Sequence, residues 1–187
     1  MTSLAETARR LGRLRWVELR LFEVVGGWVS STREADVQAM LATQSYHFAW
    51  HGRVWAERFP AGYGHDLELA TSPGLSEVDD GLAGWMTSVA ALEGSVARLT
   101  GLHRVVLPRL VVAYRRWREE ADPVSDGPLL RWLGFVLADE VDDWQVGAAA
   151  LQRLLVTPDS ARLSSDLQGQ LEVALVAGGW SFDGRSD

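Results

Sequence analysis

Apolar residues recur along this chain at spacings of three and four in five long stretches, the mark of helices with one buried face. In the first, Leu4, Ala8, Leu11, Leu14, Leu21, Phe22, Val25, Trp28 and Val29 follow one another to about residue 30. Ser3-Leu4-Ala5-Glu6 has the spacing of a capping box and predicts the start of this helix A. Ser31-Thr32-Arg33-Glu34 repeats that spacing and predicts helix B, whose face reads Val37, Met40, Leu41, Gln44, Phe48, His51 and Trp55 and which stops before Pro60. So short a connection makes A and B antiparallel neighbours. Pro60, Gly62, Gly64, Pro73 and Gly74 mark residues 60–76 as a long crossing loop.

Helix C carries Trp85, Val89, Leu92, Val96, Leu99, Val106 and Leu110, with Gly81, Gly84 and Gly94 weakening its start. Pro108 is expected to kink this helix or divide it. Asp126-Gly127-Pro128 opens helix D, which runs to about Leu155 through Leu129, Leu133, Val136, Leu137, Glu140, Trp144, Gly147, Leu151 and Leu154. Pro158-Asp159 begins a short last helix to about Ala177, with Leu163, Leu167, Leu171 and Leu175 on one face. The tail from Gly178 to Asp187 is expected to be a loose end or a lid. The expectation is one all-α domain over 1–187, with no internal repeat and no linker.

The polar residues that interrupt these faces carry the candidate chemistry. Glu18 lies in the stripe of helix A between Leu14 and Phe22, although a carboxylate at the stripe edge could instead pair with Arg15. His47 and His51 share a face of helix B one turn apart, and Gln44 precedes them on it. At a rise of about 1.5 Å per residue, Glu18 lies about 18 Å before the A–B turn and Gln44 and His47 about 17–21 Å after it. The polar groups on the two helices therefore meet at one height. His103 falls between Leu99 and Val106; a core histidine bonded to a carbonyl one turn away is the plainer alternative. Glu140 interrupts helix D, with Asp143 three residues on, while Asp139 and Asp142 are expected in solvent, like His65 in the crossing loop.

Composition narrows the partners. The 187 residues suffice for a core without staples, and 47% apolar with 23% charged side chains fits a soluble globular protein. A net charge of −7 argues against nucleic acid or an anionic membrane surface as partner. With no cysteine, disulfides, thiolate metal sites and a cysteine nucleophile are excluded. No apolar run approaches the roughly 18 residues that span a bilayer. The N-terminus alternates Arg with Leu and has no apolar signal core, so a cytoplasmic protein is expected.

Four helices that each place an ionisable group on the apolar stripe suggest a polar layer inside a bundle, as helical bundles build metal sites. Helix A, the His-x-x-x-His segment of helix B, the long crossover and the Asp-Glu-Val-Asp-Asp-Trp segment of helix D together resemble the ferritin-like superfamily over about residues 13–156. The resemblance is nearest to an uncharacterised bacterial branch, and more distant to the tRNA-hydroxylase and phenylacetyl-CoA-oxygenase branches. It implies a ferritin-like four-helix bundle with a long B–C crossover, a Pro-broken third helix and a short C-terminal helix.

A ferritin-like di-iron site uses a Glu on each of two helices and Glu-x-x-His on each of the other two. Glu18, His51 and Glu140 fit that pattern, but Phe48 stands where the Glu before His51 belongs. Asp143 replaces a histidine, and His103 is the nearest candidate on helix C. The implied ligand inventory is Glu18, His47, His51, His103, Glu140 and Asp143, a nitrogen and oxygen set suited to iron, manganese or zinc. One ion, an unorthodox pair or none remain open.

Two function classes follow. One is a metal-dependent, iron-type oxidoreductase of a small molecule, with Trp50, Trp55, Trp85 and Trp144 lining an apolar cavity. The other is a metal-free pseudoenzyme that serves as a structural or interaction subunit in a homo- or hetero-oligomer. Nine tryptophans suit either.

Overall fold

The computed structural model describes residues 4–59, 80–179 and Phe182. Its elements are α1 (Leu4–Val29), α2 (Ala35–Ala56), α3 (Asp80–Ala90), α4 (Ser95–Thr100), a π-helical turn (Gly101–Val106), α5 (Leu107–Glu120), α6 (Gly127–Leu154) and α7 (Pro158–Ala177). Among the described residues there is no strand, so the class is all-α. α1 and α2 pack on each other as neighbours, α5 and α4 pack on α6, α2 touches α6, and α7 lies on α4 and the π turn. Leu11, Leu21, Leu41, Phe48, Trp55, Leu102, Leu110, Leu133 and Leu151 are wholly buried in the core they share. No helix among the described residues is long and apolar enough to cross a membrane.

Several boundaries differ from those read in the sequence. The Ser31–Glu34 box does not cap α2. The Ser31 and Thr32 hydroxyls instead donate back to the Trp28 carbonyl at 3.3 and 2.9 Å, closing α1, and α2 begins at Ala35 after Glu34. The third helix is broken near Gly94 rather than at Pro108. Gly94 takes φ +78°, a left-handed conformation that disfavours side chains, and turns the chain from α3 into α4.

Pro108 is accommodated inside a continuous helical run. The π turn ahead of it widens the coil, so that the Leu107 N–H donates to the Leu102 carbonyl five residues back. A proline ring would otherwise strike the carbonyl four residues earlier. The last helix keeps the bounds read in the sequence, Pro158–Ala177, but at 20 residues it is nearly as long as α2 rather than short, and a capping box between Thr157 and Ser160 opens it.

Phe22 and Leu163, both expected on buried stripes, are exposed. The tail is not wholly loose, because Phe182 is buried against Trp85 with ring centroids 6.2 Å apart. Ser3, and the crossing loop over 60–76 with Tyr63 and His65, lie outside the described residues.

Candidate metal centre

α1 and α2 approach closely at the height of Glu18 because Gly52 has no side chain. A Cβ there would come within 2.7 Å of the Leu19 side chain and 3.8 Å of the Glu18 Cβ. Across this seam lie Glu18 from α1, His51 from α2 and Glu140 from α6, all with 0% exposure. One ligand atom from each falls within 4.8 Å of the others. His51 Nδ1 stands 3.0 Å from Glu140 Oε1 and 3.3 Å from Glu18 Oε2, and its Nε2 lies 3.3 Å from Asp139 Oδ2.

α5 adds a residue that the sequence did not single out. The Tyr114 hydroxyl donates to Glu18 Oε1 and accepts the Trp55 indole N–H at 2.9 Å. Tyr114 continues the spacing Leu107, Leu110, Tyr114, Trp117, so the signal that marked Glu18, a polar atom on an apolar stripe, was available for it as well. Asp139 was expected in solvent. It is half-exposed, and its carboxylate reaches inward to His51.

Three carboxylates and one imidazole in so small a space set the protonation states. Burial, followed by the charge of Glu18, pushes Glu140 up to about 8, so it holds its proton near neutrality despite the opposing bond from His51. Burial pushes His51 down. The charge of Glu18 and the bonds to Asp139, Glu140 and Glu18 outweigh it and raise this imidazole well above its ordinary value. Burial and the charges of Glu18 and Glu140 hold Tyr114 well above the usual phenol range, so it remains a donor. The hydrogen bond from His51 keeps Asp139 below the ordinary carboxylate range. Even so, one buried atom is left over: Glu140 Oε2 has no hydrogen-bond partner.

The other predicted residues form a second polar string beside the first. His47 Nδ1 lies 2.9 Å from Asp143 Oδ2, and burial raises the Asp143 carboxyl despite that bond. Gln44 donates through Nε2 to the Asp143 carbonyl at 2.9 Å, while its Oε1 lies 3.0 Å from His103 Nε2. His103 Nδ1 faces the Leu99 carbonyl at 3.2 Å, the one-turn contact of a core histidine. Burial lowers His103 to about 4, so the ring is neutral and its single N–H serves one of these two oxygens at a time. The structure thus unites Glu18, His51 and Glu140, sets His47 with Asp143 one helical turn away, and holds His103 apart on Gln44.

Arg15 does not pair with Glu18, and its Nε and Nη1 are buried without partners. Phe48 is wholly buried in the core. Trp55 and Trp85 have different partners: Trp85 donates to the Leu171 carbonyl of α7 at 3.1 Å, and Trp55 to the Tyr114 hydroxyl at 2.9 Å. Trp50 packs between His51 and Trp132, with ring centroids at 5.4 and 6.4 Å, and Trp144 is half-buried.

The donor set fits a divalent ion. Two ligand atoms each about 2.1 Å from an ion, at angles between octahedral and tetrahedral, lie roughly 3.0–3.4 Å apart. The two Nδ1–carboxylate separations, 3.0 and 3.3 Å, fall in that range. His51 Nε2 toward Asp139 is the carboxylate–histidine arrangement that fixes the ring with Nδ1 turned inward. Three protein ligands leave coordination positions open, as catalytic rather than structural sites do. Comparison with protein-family models, with curated proteins and with solved structures finds no match for this chain.

Proposed function

We propose that this protein is a ferritin-like helical bundle whose Glu18–His51–Glu140 centre holds a divalent metal, iron or manganese, and that it is an oxidoreductase acting on a small molecule. The observation that carries this reading is the unpartnered Glu140 Oε2, wholly buried beside a second carboxylate and an imidazole. A buried carboxyl oxygen left without a partner costs about 1–3 kcal/mol, and a cation that displaces the Glu140 proton and binds among these three groups removes that cost. Iron at such a centre supplies dioxygen activation. Glu18, His51 and Glu140 are the residues that hold it, Asp139 orients His51, and Tyr114 fixes the second oxygen of Glu18.

The test is a thermal melt with and without Fe(II) and Mn(II), beside metal analysis of protein purified without a His-tag. At a hundredfold excess over Kd, binding to the folded state adds about 2.7 kcal/mol. For a chain of this size that is a rise of roughly 5–10 °C. Glu140→Gln keeps the shape but cannot become the carboxylate that a metal ion needs, and it should abolish the rise. A flat response of the parent to both ions overturns the metal reading.

A second reading has its own support, since Tyr114 and His51 already satisfy Glu18 and Phe48 fills the place of a further carboxylate. On that reading the protein is a metal-free structural or interaction subunit. His51→Ala then costs about 3–5 kcal/mol whether or not metal is supplied, because it strands a buried charge.

A further inference from the structure

At the last turn of α1, the protein buries a positive charge that has no negative partner among the described residues. Arg98, the fourth residue of α4, is 9% exposed. Its Nε donates to the Leu92 carbonyl at 3.0 Å, and its Nη1 makes two longer bonds of 3.4 Å, to the Trp28 carbonyl and the Thr32 hydroxyl. All three acceptors are neutral. The guanidinium also lies over the Trp28 ring, 5.8 Å from its centroid. Trp28 belongs to the last turn of α1, where the helix presents partial negative charge, so these contacts offset part of the charge but not all of it. Arginine is almost never buried without an anion, because desolvating the charge costs several kcal/mol. Among the described residues Nη2 has no partner, and it is not sealed away, since Arg98 lines a groove.

That groove has a volume of about 320 Å³ and lies between α1 and the α3–α4 turn, lined by Arg20, Glu23, Val24, Gly27, Trp28, Ala90 and Arg98. Its size is at the lower end of small-molecule sites, roughly 300–1,000 Å³. Its surface is half apolar in character: Val24, Ala90 and the Trp28 indole, which is held in place by its own bond to the Ala90 carbonyl at 3.2 Å. Gly27 leaves open space where a Cβ would meet nothing within 4 Å. Arg20 supplies a second guanidinium, which Glu23 holds at 2.9 Å on the exposed side. With two arginines and one glutamate, the groove is positive on a chain whose net charge is −7.

We infer that this groove binds a small organic carboxylate, its anionic head on Arg98 and Arg20 and its apolar body against Val24, Gly27 and Trp28. A planar carboxylate suits the guanidinium fork and provides the missing counter-charge. The site uses none of the Glu18–His51–Glu140 residues and does not depend on the metal reading.

The probe is benzoate, titrated calorimetrically into the full chain, with inorganic phosphate as a second anion that lacks an apolar body. Benzoate should bind with one-to-one stoichiometry, and phosphate at least about tenfold more weakly, a difference of 1.4 kcal/mol. Gly27→Leu places a side chain in the groove at a position with room for it and improves helix propensity. It should keep or raise the melting point while weakening benzoate at least tenfold. Arg20→Gln, at a half-exposed position that leaves the buried Arg98 bonds intact, should weaken it severalfold. Absence of binding at millimolar benzoate, benzoate binding that Gly27→Leu leaves unchanged, or phosphate binding as tight as benzoate would each overturn the proposal. The last two describe a surface anion effect, and the first describes an Arg98 that only ties the end of α1 to α4.

Discussion

Replacing Gly147 by alanine sets two well-measured effects against each other. Gly147 is buried in the middle of α6, and glycine inside a helix costs about 1 kcal/mol relative to alanine, so propensity alone predicts a more stable protein. The packing predicts the reverse. An added Cβ would stand 1.9 Å from both Nε2 and Cδ2 of His103, far inside any real contact, and the obstacle is a ring held at 0% exposure. The imidazole must move by more than 1 Å, which breaks its contacts to Gln44 at 3.0 Å and to the Leu99 carbonyl at 3.2 Å. Overpacking costs about 1–3 kcal/mol, and stranding the Gln44 oxygen about 1–3 more. After subtracting the propensity gain, the net loss is about 1–5 kcal/mol. Urea unfolding followed by circular dichroism should show the midpoint falling with an unchanged slope, and the melting point should drop by roughly 2–20 °C. His103→Ala in the same chain removes the obstacle, so the double variant should lose less than the sum of the two single losses. A Gly147→Ala protein as stable as the parent would refute the interlock of α6 with the π turn.

Two further outcomes follow from the same polar strings. Tyr114→Phe removes a donor from Glu18 and the acceptor of the Trp55 indole N–H, both buried, and should lower unfolding stability by about 3 kcal/mol in urea melts; a loss under about 1 kcal/mol would mean that neither bond contributes in the folded core. His103 is lowered to about 4 from an unfolded value near 6.5, so the unfolded chain binds the proton first, and stability should fall by about 3 kcal/mol as pH drops through that window, with a flatter profile in His103→Gln.

How much of this was legible in the sequence depends on what a stripe position can report. Apolar period, with the Asp126-Gly127-Pro128 and Pro158-Asp159 starts, located α1, α2, α6 and α7 closely, because those helices owe their burial to one continuous apolar face. The third helix misled for a physical reason. Pro108 is the stronger helix breaker by propensity, but a π turn widens the coil just ahead of it, while Gly94 lies where the chain must turn with positive φ. The expected Ser31–Glu34 cap failed because those hydroxyls found the Trp28 carbonyl, an acceptor at the end of the preceding helix.

The site shows the same limit more sharply. Glu18, His51 and Glu140 were singled out because an ionisable residue on an apolar stripe is buried, and all three are. Burial does not name the partner. His103 met the same criterion and turned instead onto Gln44, since Gly147 opens a slot for its ring against α6. Asp139 failed the criterion and yet bonds the ring at the centre, because it stands beside Glu140 on the one edge of α6 where a half-exposed carboxylate reaches His51 Nε2. Arg98 failed it too: among apolar neighbours an arginine in a sequence reads as a solvated charge, and only the fold reveals that its nearest acceptors are all neutral. Pattern therefore finds charges that interrupt an apolar face but not those delivered to a site from its rim. Both candidate sites on this chain combine the two kinds, a buried carboxylate pair with a His51 ring that Asp139 orients from the edge, and a buried guanidinium completed by Arg20 from the surface.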